Sequence, residues 1–112
     1  MKTKVLSLMV VFLLGVFSVF AEEKTETINV KGGACDECKE HIETVVTGVD
    51  GVTSAKWNVE TKVLTVVFDD AVVTLDKVQM FIAQGGNDTP KYKAPEKAYD
   101  ALPECCKYER EE

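Results

Sequence analysis

The sequence predicts an α+β fold in which two helices cover one face of an antiparallel sheet. Three observations lead there. Behind an apolar leader, the hydrophobic period switches between two and 3.6 in the order β-α-β-β-α. Two glycine pairs, Gly32-Gly33 and Gly85-Gly86, bound the predicted helices. The chain has 112 residues, enough for one domain.

The leader differs from everything that follows. Lys2 and Lys4 form a short positive region, and Val5 to Phe20 is apolar apart from Ser7, Gly15 and Ser18. Val19-Phe20-Ala21 then presents small residues where a signal peptidase reads, and charge resumes at Glu22. This is the pattern of a cleavable secretory signal over residues 1–21. The apolar run is shorter than the ~20 residues that span a bilayer, and no cysteine follows the cut to carry a lipid. Without Lys2 and Lys4, 11 bases face 19 acids, a net charge of −8. Such a surface repels nucleic acid and anionic lipid and tolerates cations.

"TETINVK" (25–31) alternates polar and apolar residues, with Ile28 and Val30 on one side, and reads as a strand. From Asp36, the spacing of Cys38, Ile42, Val45 and Val49 is that of a helical stripe, closed by Gly48 and Asp50-Gly51. Ala55, Trp57 and Val59 alternate with polar neighbours in a second strand. A turn at Glu60-Thr61 leads to a third, "KVLTVVF" (62–68), so the two make a hairpin. Thr74 is the expected N-cap of a helix whose apolar face is Leu75, Val78, Phe81 and Ile82. Beyond Gly85-Gly86 the pattern weakens to a short edge strand around Lys91–Lys93 and a turn or two of helix from Pro95. The order completes a ferredoxin-like βαββαβ sandwich with a short C-terminal helical tail. The expected organisation is a signal peptide (1–21), one domain (22–93) and a tail (94–112) with a vicinal cysteine pair.

All four cysteines lie in the exported part, as two tight pairs: Cys35 with Cys38, and Cys105 with Cys106. Bridges within each pair would close almost no loop and remove little unfolded-state entropy. Only cross-pairing between the two ends would staple the chain, so the spacing favours chemistry over scaffolding. Cys35 falls in the loop after the first strand and Cys38 on the first helical turn, where free N–H groups and the helix dipole favour thiolate. Two thiolates at this spacing suit Cu(I) or Hg(II). An isolated pair is an incomplete Zn(II) site, so Zn(II) ranks behind them.

A C-x-x-C at a strand–helix junction, in this order of elements, resembles the heavy-metal-associated domain family. The resemblance runs from about Thr27 to Asp88 and rests on three stretches: "VKGGACDEC", the hairpin "GVDGVTSAKWNVETKVLTVVFD", and "TLDKVQMFIAQGG". It implies reversible soft-metal binding at Cys35 and Cys38 and hand-over by thiolate exchange. The layout is similar to periplasmic mercuric-ion binding proteins and small copper chaperones. Three positions depart from the family pattern. Gly33 stands where a methionine is usual, Asn87 where many members carry Tyr or Phe, and Asp36 and Glu37 lie between the cysteines. Two carboxylates there oppose an empty dithiolate and favour a bound cation.

Three readings compete for Cys105 and Cys106: a fold-back that completes a three- or four-thiolate site, a separate acceptor site, or an incidental pair on a mobile tail. His41, one turn beyond Cys38, is expected to face solvent rather than a metal, and Trp57 is expected to be packing. No nucleophile–base constellation or phosphate loop supports an enzyme. The expected function is an exported, periplasmic, monomeric carrier that captures Cu(I) or Hg(II). It would pass the ion to a membrane metal transporter or another carrier, with no nucleic-acid partner and no membrane insertion after signal cleavage. The alternative is a small periplasmic thiol–disulfide redox protein, since thioredoxin-like proteins also place C-x-x-C at a helix start. Thr89-Pro90 superficially fits that pattern, but the few polar residues after it cannot supply the remaining strand.

Overall fold

The computed structural model describes residues 23–110; the expected signal segment lies outside them. Strand β1 (Glu23–Asn29), helix α1 (Asp36–Thr47), strands β2 (Val52–Trp57) and β3 (Val63–Asp69) and helix α2 (Leu75–Gln84) follow the predicted order. A short helix α3 (Glu96–Asp100) and one 3-10 turn (Glu104–Cys106) complete the chain. Among the described residues no helix is long and apolar enough to cross a membrane.

The three strands form one antiparallel sheet in the order β1-β3-β2. The central strand shows why. On β3 Leu64, Val66 and Phe68 are buried while Thr65 between them is exposed, the period of two that covers one sheet face. Thr65 faces Thr27 on one side and Lys56 on the other; Leu64 faces Ile28 and Trp57. The turn between β2 and β3 is set by Asn58, whose side-chain oxygen accepts from the N–H groups of Glu60 (2.8 Å) and Thr61 (2.9 Å).

Both long helices bury the expected faces, with small shifts. On α1 Cys38, Ile42 and Val46 are buried and Val45 is only half-buried, so the stripe runs at steps of four rather than through Val45. On α2 Thr74 caps as expected, its hydroxyl accepting from the Lys77 N–H at 3.1 Å. The buried residues there are Val78, Gln79, Ile82 and Ala83, whereas Phe81 is 38% exposed.

The edge strand expected at Lys91–Lys93 does not form, and the sheet has three strands rather than four. The backbone groups it would need are used elsewhere. The Lys91 N–H donates to the side-chain oxygen of Gln79 (3.1 Å), and the Tyr92 N–H to Thr89 Oγ1 (3.1 Å). The Tyr92 carbonyl takes the Thr89 N–H at 2.8 Å, and Pro90 has no N–H to offer. The Tyr92 hydroxyl then donates to Asp76 Oδ2 (2.6 Å), fastening this turn to the start of α2.

Trp57, 1% exposed, stands at the sheet end nearest the cysteines and donates its indole N–H to the Val30 carbonyl at 3.1 Å. Its backbone N–H is taken by Glu43 of α1, which also accepts from Lys39. Trp57 therefore packs as expected and also supports the loop after β1. Because Leu64 is fully buried, Leu64→Ala should lower unfolding free energy by about 2–5 kcal/mol. Phe81→Ala should cost less than about 1 kcal/mol, half-exposed as it is. Urea titration followed by Trp57 fluorescence measures both.

Candidate metal centre

The loop that carries the cysteines is held at its root by the surrounding elements. The Val30 N–H donates to the Lys62 carbonyl (2.9 Å) and the Lys31 N–H to the Asp88 carbonyl (3.1 Å). The Asn87 amide donates to the Lys31 carbonyl at 2.8 Å. Cys35 is the N-cap of α1, in extended backbone, and its carbonyl takes the N–H groups of Cys38 (3.1 Å) and Lys39 (3.4 Å). No side chain caps this helix start, so its positive end faces the sulfurs. Lys62 adds a cation: its ammonium lies 3.3 Å from the Gly33 carbonyl and over the Trp57 ring. Its backbone has φ 64°, a left-handed conformation costly for a residue with a Cβ. Nothing in the hydrophobic pattern marks Lys62, so sequence reasoning passes it by.

The tail folds back. The 3-10 turn carries Cys105 and Cys106 onto the loop, and the pairs join across the ends: Cys35 with Cys105 and Cys38 with Cys106. The remaining separations are short as well. Cys35 Sγ lies 3.0 Å from Cys38 Sγ and 3.8 Å from Cys106 Sγ, and all four sulfurs lie within 4.8 Å of one another. Cys38 and Cys106 are each 1% exposed, Cys35 is half-buried, and Cys105 is exposed. Glu37 Oε1 stands 3.8 Å from Cys105 Sγ. The tail pair does fold back onto the loop, but its sulfurs are joined to Cys35 and Cys38 as disulfides, the cross-pairing that staples the chain and that the spacing argued against, rather than as ligands of a three- or four-thiolate site.

His41 is not part of this cluster, and it does not face solvent either. Its Nε2 donates to the Gly85 carbonyl at 2.8 Å, tying α1 to the end of α2.

Besides the two disulfides, hydrogen bonds and ring contacts hold the tail down. Tyr108 accepts the Asp88 N–H (2.8 Å) and donates its hydroxyl to the Gly86 carbonyl (2.9 Å). Burial pushes that hydroxyl up to about 12, so it stays neutral and able to donate. Arg110 grips both oxygens of Asp88 (2.8 and 3.3 Å) and the Ala94 carbonyl (2.7 Å), and lies over the Tyr99 ring. Tyr99 packs edge-on to Tyr108 and donates to its carbonyl at 2.7 Å. Burial alone would raise the Asp88 carboxyl. The Ala94 N–H and the Arg110 guanidinium outweigh it and hold the group below its ordinary range.

Two glycines make room for this arrangement. A Cβ at Gly33 would overlap the Cys105 carbonyl and come within 2.8 Å of the Cys106 Cα. Gly86, at φ +112°, would put a Cβ 2.9 Å from the Ala98 carbonyl. The tail backbone therefore passes where side chains would otherwise stand.

With this geometry in place, comparison with known proteins identifies the framework. A heavy-metal-associated domain model matches residues 27–87. The chain belongs to that family. The copper chaperone CopZ of Staphylococcus saprophyticus is 42% identical over 64 residues, spanning 57% of this chain and 94% of that protein. Among solved structures, a CopZ metallochaperone aligns with TM-score 0.57 and 35% identity over 59% of this chain and 98% of its own. Oxidised MerP from Ralstonia metallidurans aligns with TM-score 0.57 and 28% identity, over 61% of this chain and 94% of its own. The ferredoxin-like framework and the family resemblance expected from sequence are thus both shown. The matched segment 27–87 stops short of the tail, so Cys105, Cys106, Tyr108 and Arg110 lie outside the shared part.

Two outcomes follow. Cys35–Cys105 closes a sequence separation of 70, and the second bridge joins ends already held. Reducing both should lower unfolding stability by about 4 kcal/mol, nearly all from the first, measured by urea titration with and without reductant. Because the Asp88 carboxyl is depressed in the folded state, its contribution is complete above about pH 3.9 and is lost as pH falls through its lower folded value. Asp88→Asn should remove that part of the acid transition and leave the tail less tightly held at neutral pH. Amide exchange at residues 94–110 reports the loosening.

Proposed function

We propose that this protein is an exported carrier of Cu(I), which it captures at Cys35 and Cys38 and releases by thiolate exchange. The observation that carries this reading is the pair of sulfurs, 3.0 Å apart, at the strand–helix junction of a heavy-metal-associated domain. A low-coordinate d10 ion between two thiolates remains open to a third ligand. An incoming thiolate adds first, and one of the original thiolates then leaves, so the ion is never bare. The acceptor that fits is a membrane metal transporter. The soluble region of the P-type ATPase CopA from Bacillus subtilis aligns with TM-score 0.57 and 29% identity, over 62% of this chain and 46% of that chain. Copper rather than mercury is favoured by the copper-chaperone relatives. Periplasmic location is supported by the leader over residues 1–21. Nothing in this reading requires catalysis.

A thiol–disulfide redox protein is the second reading, favoured by one observation: all four cysteines are joined in disulfides. It differs from the carrier in what happens after full reduction.

Anaerobic titration of the fully reduced protein with Cu(I) against a competing chelator decides between them, with Hg(II) and Zn(II) as parallel arms. Tight Cu(I) binding is expected in the wild type and a drop of several orders of magnitude in C35S/C38S. Cu(I) affinity that survives the loss of both cysteines would sink the carrier reading. Rapid dithiol-dependent reduction of protein disulfides, without metal affinity, would put the redox protein in its place.

A further inference from the structure

Resting on the carrier reading for Cys35 and Cys38, the geometry adds ligands, a second class of ion and a second state. We propose that Cys105 and Cys106 complete a four-thiolate site with Cys35 and Cys38 for a tetrahedral divalent d10 ion of the Zn(II) or Cd(II) class. The site opens when a dithiol reductant cleaves the two loop–tail disulfides.

Sequence reasoning ranks Zn(II) low because a C-x-x-C supplies half a site. The fold removes that objection. Four sulfurs around zinc at about 2.3 Å stand about 3.8 Å apart along a tetrahedron's edges. Cys35 and Cys106 already have that separation, 3.8 Å, and Cys35 and Cys38 need to part from 3.0 Å. The two bonded pairs relax to the same edge once their bonds are cut. The tail also has anchors other than sulfur: Tyr108 and Arg110 tie it to Gly86, Asp88 and Ala94. Reduction thus frees four thiols without releasing the chain that carries two of them. Gly33 is the concession in the loop that allows this approach.

Opening is ordered by exposure. Cys105 is the exposed cysteine, whereas Cys38 and Cys106 are buried, so the external thiolate attacks Cys105 and releases Cys35 first. Each bridge takes two electrons and two protons from one dithiol, which leaves as its own disulfide; two dithiols yield four thiols. Binding of the ion then expels the thiol protons to solvent and replaces the covalent staple with a metal one. Glu37, 3.8 Å from Cys105 Sγ, sets a carboxylate beside the cluster, a negative charge that attracts a cation. Oxidised, the loop is sealed against ions; reduced, it holds one with four ligands or passes Cu(I) on two.

The test is a Cd(II) titration of the fully reduced whole protein, in which thiolate-to-metal charge-transfer absorbance per ion counts sulfurs. The wild type should bind one Cd(II) with the intensity of four thiolates. C105S/C106S should fall to two, with affinity weaker by roughly 100-fold or more, beyond the loss of an outer-shell contact. Gly33→Met keeps every cysteine but blocks the tail, and should show the same two-thiolate intensity. Circular dichroism and Trp57 fluorescence establish that each variant is folded. A wild-type intensity of two thiolates overturns the proposal whatever the variants do, and so does equal affinity in wild type and C105S/C106S. In either case Cu(I) affinity retained by C105S/C106S and lost by C35S/C38S leaves the carrier reading standing.

Discussion

The cysteine end of this protein depends on how closely one backbone can approach another at Gly33. The Cys105 carbonyl occupies the place a Cβ would take there, and this contact brings the last two sulfurs onto the loop. Move the tail outward by the width of a methyl group and the cluster becomes a two-sulfur loop with a distant pair. The rest of the tail can be understood as what keeps that approach in register. Leu102 and Cys106 join the domain core, while Tyr108 and Arg110 satisfy the carbonyls and carboxylate left where α2 ends.

Supporting the loop from below is a different set of contacts. Trp57 closes the core and holds the Val30 carbonyl, Asn87 holds the Lys31 carbonyl, and Lys62 reaches the Gly33 carbonyl. Each engages backbone, so the loop's position does not depend on the identity of its exposed side chains. This support fixes the root of the loop through backbone groups and leaves the sulfurs at the ends of their side chains. It also accounts for two departures from the family pattern. Asn87 is a hydrogen-bonding strut rather than an aromatic cover, and Gly33 yields its space to the tail.

Pattern made most of the framework legible. The alternation of Leu64, Val66 and Phe68, the cap at Thr74 and the stripe through Cys38 and Ile42 are local signals, set by the period of a strand or helix. The failures share a cause. Lys91–Lys93 has strand-like composition, yet its N–H groups go to Gln79 and Thr89, partners that only the fold brings near. Phe81 is apolar and on a helix, but α2 turns Gln79 and Ala83 inward instead. His41 reads as a solvent-facing residue because its acceptor, the Gly85 carbonyl, is 44 residues away in the chain.

The same division runs through the site. By itself the sequence determined that the sulfurs of Cys35 and Cys38 stand together, because a C-x-x-C spanning a helix start is local: one turn of backbone sets the distance between them. It also determined the acidic character of the chain and the order of its elements. Only the tertiary structure decided where Cys105 and Cys106 lie. Their distance from the loop depends on Tyr108, Arg110, Leu102 and the empty space at Gly33, groups scattered over seventy-odd residues with no periodic pattern linking them. A contact that closes across so long a chain is chosen by the sum of many burials and hydrogen bonds, and no local pattern carries that sum.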